Sequence, residues 1–473
     1  MSKLSVRLES IILDDFKNVR HGEINLESKK NTYKASVLGL YGQNGSGKTA
    51  LIDSIDILRL ALSGRRLPAK YADYINVGAE FASLKFLLHL QNENAQYHVW
   101  YEFCIRRDLG QEDFVHHGIE GSMEAVPQYK VTLFDECLRF QYYDENVKIR
   151  MAALIDTKNG EIFLPKSRYV ELVGSGKKTA TDILVAYKLA EEGSRSFIFS
   201  RPLINTIRNN CHNVIYTDLI NSLLTFGTKE LFVINTDTSG LISLNALPIA
   251  FKYRYDDKPR ETFGQFAIPL NESILVPIEL VAVVKELMGN MNIVLGQIIP
   301  GLSINVYELD TELSKDSRPG KRLQLMSERN GKEIPLKYES EGIKKIVSIL
   351  QLLIVVYNSD SITLAVDELD AGIFEYLLGE LLKVISEKGK GQLVFTSHNL
   401  RPLETIDKCF IAFTTVNPYN RYIRFVNVKG NNNLRDFYYR DITLGEQTEP
   451  VYDPTNNYEI MLAFKEAGRT YDS

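Results

Sequence analysis

Hydrophobic and polar positions change their rhythm repeatedly along this chain. In the first 45 residues Leu4 to Leu13 is β-rich, Asp14-Asp15-Phe16-Lys17-Asn18 reads as a turn, and Ala35 to Tyr41 (ASVLGLY) is an unbroken apolar run suited to a buried strand. Leu51, Ile52, Ile55 and Leu58 then recur at helical spacing from Lys48 onward. Between Phe81 and Tyr169 the runs FASLKFLLHL, QYHVWYEFCI, YKVTLFDECL and GEIFLP, separated by polar turns, predict antiparallel strands. From about 175 to 300 the pattern becomes helix-like, as in ATDILVAYKLAEE and ESILVPIELVAVVKELMGNMNIVLGQII, without the sustained heptads of long coiled-coil arms.

Strands return at SINVYELD, KRLQLMSE and IPLKYES. A helix follows over Glu341 to Tyr357, with Ile343, Ile346, Val347, Leu350, Leu353, Ile354 and Tyr357 on one face. The strand Ile362 to Val366, a helix around Phe374 to Ile385, and the strands Gln392 to Ser397 and Phe410 to Thr414 come next. Strands alternating with helices predict an α/β fold whose mostly parallel sheet is covered on both faces. The expected division is a first lobe at 1–170, a helical insertion at 171–300, and a second lobe with a C-terminal extension at 301–473.

Composition narrows the classes. The chain has 473 residues, 44% hydrophobic and 24% charged, which suits a globular protein with a real core. Its 55 basic and 60 acidic residues give −5, so no global positive field draws it to nucleic acid. DNA stays open as a ligand only through local groups: Arg65-Arg66 with Lys70, Lys252 to Arg260, and Arg318 with Lys321 and Arg322. Cys104, Cys137, Cys211 and Cys409 are scattered, which argues against a zinc site or a disulfide framework. Charges at Lys3, Arg7, Glu9, Asp14 and Asp15 interrupt any leader-like apolar stretch. The apolar block around Leu352 to Val356 falls well short of the ~18 residues of a membrane span. A cytoplasmic protein with no membrane partner is expected.

Four motifs carry chemistry. Gly42-Gln43-Asn44-Gly45-Ser46-Gly47-Lys48-Thr49 is a complete G-x-x-x-x-G-K-T with a strand before it and a helix after it. Glycines let successive N–H groups turn toward phosphate oxygens, the helix start adds positive charge, Lys48 reaches the β- and γ-phosphates, and the Thr49 hydroxyl suits Mg²⁺. Gly174 to Thr179 looks superficially similar but lacks the first glycine and the strand. The strand Ile362–Val366 ends in Asp367-Glu368, placing a carboxylate for Mg²⁺ and another to polarise water at a sheet's C-terminal edge. Ser340 and Gly342 start a helix and could bind phosphate there, although Ser340 is equally an ordinary N-cap. His398 follows the strand ending at Ser397, where it could meet a γ-phosphate or its attacking water.

In this order the motifs resemble the ATP-binding-cassette head of the SMC, RecF and OLD-type ATPases. Gly42-x-Asn44-Gly45-x-Gly47-Lys48-Thr49 resembles the loop of that group, and Asp14 to Asn18 its N-terminal turn. The resemblance implies an ABC-type P-loop NTPase head of two lobes, with an antiparallel β subdomain and an inserted helical subdomain. It implies ATP and Mg²⁺ as ligands, with Gly42, Asn44, Gly45, Ser46, Gly47, Lys48 and Thr49 on ATP, Thr49 and Asp367 on the metal, and Glu368 and His398 catalytic. Ser340, Gly342 and Lys345 would be a signature acting in trans, and Asp370 the D-loop residue. The Ser-x-Gly-x-x-Lys form is similar to that of compact defence ATPases of the PARIS and Septu kind. That likeness implies a homodimer or higher oligomer that senses an invader and controls a separately encoded effector, a nuclease or toxin. A RecF-like repair ATPase and an ATP-dependent scaffold with little turnover are the alternatives. No nuclease is expected in this chain, because Asp436, Asp441 and Asp453 are too sparse for a Toprim-like cluster.

Overall fold

Six strands align the motif-bearing segments side by side. The computed structural model describes residues 3–26, 36–117, 122–158, 165–235, 246–254, 261–269, 272–313, 319–426, 433–445 and 447–469. Ser36–Tyr41 lies in the middle of a sheet, with Gln392–Thr396 and Ile411–Thr414 parallel to it on either side. Thr363–Val366 and then Leu231–Ile234 extend the parallel order beyond Gln392–Thr396, and the short strand Tyr422–Ile423 closes the other edge antiparallel. The runs SVLGLY, TLAV, QLVFT and IAFT are apolar because both sheet faces are covered.

Strand alternation divides these side chains between two cores. Leu38, Leu40, Ala365, Val394 and Ala412 join one cluster; Val37, Tyr41, Leu364, Val366, Leu393, Phe395 and Phe413 join the other. The first cluster continues through the helix Lys48–Leu62 into a six-stranded antiparallel sheet. That sheet has the order Val19–Asn25, Ser5–Phe16, Phe81–Gln91, Ala95–His117, Ser122–Asp144, Lys148–Asp156. Every residue of the helix except Thr49 and Arg59 is buried between the two sheets. Its two buried acids have partners: Asp53 is paired with Lys17, and Asp56 accepts from Arg59 and from the Tyr71 hydroxyl. The second cluster packs the helices Ile278–Ile298, Glu341–Asn358 and Glu375–Lys388 on the opposite face.

Segment 171–300 departs from the helical expectation. The helices Lys177–Glu192, Arg201–Asn210 and Val214–Thr225 are there, but Leu231–Ile234 is an edge strand of the central sheet. An antiparallel hairpin, Ala246–Arg254 with Glu261–Pro269, follows. Ile274–Pro277 then pairs with Pro319–Arg329, which also pairs with Leu302–Leu313 and Lys332–Pro335. The segment is thus partly integral to the parallel sheet. A four-residue apolar run such as LFVI has no periodicity by which to tell a strand from a helix turn. Most of the expected strand GEIFLP falls outside the described residues.

Gly391 sets how closely the helix Glu341–Asn358 approaches the strand it precedes. A Cβ there would lie 2.6 Å from Ile362 O, 2.8 Å from Ser359 O and 2.9 Å from Val356 O, all backbone atoms that cannot rotate away. Gly391→Ala should therefore cost about 1–3 kcal/mol of stability, measured by chemical denaturation, because overpacking against fixed backbone has no soft outlet.

Candidate functional site

The loop between Tyr41 and Lys48 gets its shape from glycine. Gly42, Gly45 and Gly47 have φ of 152°, 75° and 93°, a region that side chains with a Cβ rarely enter. A Cβ on Gly42 would also fall 1.8 Å from Thr414 Oγ1. Ser46 faces this underside, donating to Gln43 O at 2.5 Å and sharing a hydrogen bond with Thr414 Oγ1. The loop is clamped from outside as well. The Tyr422 hydroxyl donates to Gly47 O at 2.9 Å, and Asn18 Nδ2 donates to Gly45 O. Arg421 lies against Gly47 and donates to Asn18 O and Thr415 O, each at 2.6 Å.

A cleft of about 440 Å³ opens above the loop. Asn44, Gly45, Gly47, Lys48 and Thr49 line one side, and Asp367, Glu368, Thr396 and His398 the other. Adjacent parallel strands bring these groups together at their C-terminal ends, where the chain order of the sheet reverses around Ser36–Tyr41. Lys48 Nζ donates to Gly42 O at 2.7 Å and to Gln43 O at 2.9 Å, so the ammonium is held over the loop. Burial pushes its pKa down, and Asp367, Glu368 and Asp370 oppose that.

Thr396 organises the two acids. Its hydroxyl donates to Asp367 Oδ1 at 2.6 Å and accepts from Glu368 N at 2.8 Å. Asp367 is buried while Glu368 is exposed to the cleft, with φ 49°. Asp370 Oδ2 accepts from His398 N at 3.1 Å and Asn399 N at 3.0 Å, which ties the histidine segment to the turn after the acids.

Several expected site residues stand apart from the cleft. Ser340 is exposed and caps the helix Glu341–Asn358, accepting from Ile343 N at 3.4 Å. Gly342 has a packing reason: a Cβ would meet Gly372 O at 2.3 Å. Lys345 is buried rather than displayed at the surface. Gly174 to Lys177 joins two helices, confirming that no strand precedes it. Among the basic groups, Lys321 and Arg322 are paired with Glu308 and Glu312, while Lys258, Arg260 and Arg318 lie outside the described residues. Sequence reasoning missed Thr396, Arg421, Tyr422 and Gln43, whose Oε1 accepts from Asp453 N at 2.9 Å.

The donors fit a magnesium nucleotide. Among the described residues no three His, Cys, Asp or Glu side chains gather into a metal cage. One hydroxyl, Thr49, and one buried carboxylate, Asp367, face the same cleft, and Mg²⁺ uses such sparse protein ligation together with phosphates and waters. The loop, its helix and the acids form a P-loop site in mixed α/β sheets.

No family model matches the chain, and no curated protein matches it. Solved structures similar to it include an SMC head bound to the C-terminal winged-helix domain of ScpA, at 13% identity over 89% of this chain and 98% of that one, TM-score 0.37. The SMC head domain from Thermotoga maritima is 14% identical over 89% and 99%, TM-score 0.36. The recombination mediator RecF with ATP is 12% identical over 83% and 94%, TM-score 0.31. Likeness at these scores decides nothing about this chain. No helix among the described residues is long and apolar enough to cross a membrane.

Thr396→Val should leave Glu368 N and Asp367 Oδ1 without their buried partner, at about 2–4 kcal/mol in chemical denaturation. Thr396→Ser, which keeps the hydroxyl, should recover most of that loss.

Proposed function

We propose that this chain is an ABC-type ATPase head that binds and hydrolyses ATP and pairs with a second head around Mg-ATP. The observation that carries the reading is the single cleft in which the loop's Lys48 and Thr49 face Asp367, Glu368 and His398. In this reading the loop N–H groups and the N-terminus of Lys48–Leu62 bind the phosphates through Gly42 to Thr49. Lys48 exchanges its bonds to Gly42 O and Gln43 O for phosphate oxygens. Thr49 and Asp367 hold Mg²⁺, which when bound neutralises charge on the β- and γ-oxygens. Glu368 orients and polarises the attacking water, His398 stands at the γ-phosphate end, and Asp370 keeps His398 and Glu368 in one frame.

Ser340, exposed at a helix start, is not among the residues that line the cleft. Its place suits the γ-phosphate held by a partner, so that two heads close on two nucleotides and hydrolysis removes the bridge. The sequence resemblance adds a soluble, cytoplasmic switch that holds or releases a separate effector. The setting in antiviral defence rests on the sequence resemblance alone. Strongly salt-dependent DNA binding would favour the RecF-like repair role instead.

Light scattering with and without Mg-ATP tests the pairing. Glu368→Gln should double its mass only with Mg-ATP and lose turnover on the order of a hundredfold or more. Ser340→Arg should bind ATP but stay single, and Lys48→Ala should not bind it. A mass indifferent to ATP in nucleotide-binding variants would overturn the pairing, and a wild-type rate at background would favour the scaffold.

A further inference from the structure

We propose that the helix Asn457–Arg469 is an arm that docks on a second copy of this chain, against the apolar patch around Tyr338 and Phe374 beside the start of the helix Glu341–Asn358. The inference rests on the proposed pairing of heads and adds to it a contact that the nucleotide does not make.

The segment before the arm is fastened to the same turn that clamps the loop. Glu449 accepts from Asn417 Nδ2 at 3.0 Å and from Asn420 Nδ2 at 3.1 Å, on the turn that leads into Arg421 and Tyr422. Val416 N donates to Pro450 O at 2.9 Å, and Val451 is buried in the second core. Asp453 N then donates to Oε1 of Gln43, a residue of the phosphate-binding loop, at 2.9 Å. Asn456 caps the helix, its Oδ1 accepting from Tyr458 N at 3.0 Å and Glu459 N at 3.4 Å. The step from Asp453 to Asn456 spans at most about 10 Å, so the helix starts close beside the loop.

The helix itself stands in solvent. Every residue from Asn457 to Gly468 is exposed, yet Ile460, Met461, Ala463 and Phe464 form one apolar stripe, with Phe464 77% exposed. Helices shorter than about 12–15 residues are marginal in water unless an apolar face is packed, and this one has 13 residues. Its own chain leaves the stripe bare, so a second surface must cover it. The patch that fits lies at the opposite pole of the proposed pair. Tyr338 and Phe374 are 69% and 72% exposed. The close approach of Gly372 O to Gly342 holds the two segments that carry them together at the Ser340 helix start. Pairing brings Ser340 of one head to the loop of the other, and with it this patch to the arm tied at Gln43. Two-fold symmetry makes the exchange reciprocal: each head gives an arm and receives one. The rims also match in charge, since Glu459 and Glu466 border the stripe and Lys337 lies over the Tyr338 ring.

Photo-crosslinking reads the contact directly. With Phe464→p-benzoylphenylalanine in the Glu368→Gln chain, light should give an adduct of doubled mass with Mg-ATP and little without it. The cross-linked peptide of the second copy should contain Tyr338 or Phe374. Separately, Ile460→Glu with Phe464→Glu, or Phe374→Glu, should raise the Kd of pairing in Glu368→Gln on the order of tenfold or more. ATP affinity and the Tm of the single chain should stay unchanged, because the substituted side chains are exposed. An adduct confined to one chain, an adduct elsewhere on the second copy, one equally abundant without Mg-ATP, or undiminished pairing in these variants would overturn the proposal. If Glu368→Gln never doubles its mass with Mg-ATP, the pairing itself fails and the arm loses its partner. Doubling without the adduct sinks the arm alone.

Discussion

The helix Lys48–Leu62 has no solvent face, and that constraint governs the molecule. Two sheets press on it from opposite sides, so its N-terminus cannot shift without opening the core that the two sheets share. A buried helix start would ordinarily leave orphan N–H groups. Here they look into a cleft, where an anion can satisfy them. The buried acids Asp53 and Asp56, matched by Lys17, Arg59 and Tyr71, hold the helix in register with the N-terminal turn. The loop is thus rigid because of what surrounds its helix as much as because of its own glycines.

The far wall of the cleft is held by a different device. A single hydroxyl, Thr396, orients Asp367 and fixes the backbone at Glu368, so one residue sets the spacing between a buried carboxylate and an exposed one. Arg421 and Tyr422 do comparable work for the loop, joining the first hairpin to a strand near the end of the chain. Every clamp crosses a long stretch of sequence, and the two walls come into register only when the whole sheet has formed.

That distance explains what could be read from the sequence. The loop was legible because its chemistry needs fixed residue types at fixed local spacing, with a strand before and a helix after. Asp367-Glu368 was legible as an apolar strand ending in acids. Thr396, Arg421 and Gln43 were not, since a threonine, an arginine or a glutamine has no local mark of a contact made 28, 403 or 410 residues away. The edge strand Leu231–Ile234 was too short to show a period. Gly342 was legible as a glycine at a helix start, but the neighbour that leaves no room for a side chain there, Gly372 O, was not.

Glu368 sits in a backbone conformation that suits glycine or asparagine better than a long acidic residue. Such a residue carries a conformational cost of about 1–3 kcal/mol, met by the surrounding packing. Drift toward greater stability would therefore tend to erase this carboxylate, and only selection for what the carboxylate does would retain it. At this position durability and usefulness pull the protein in opposite directions.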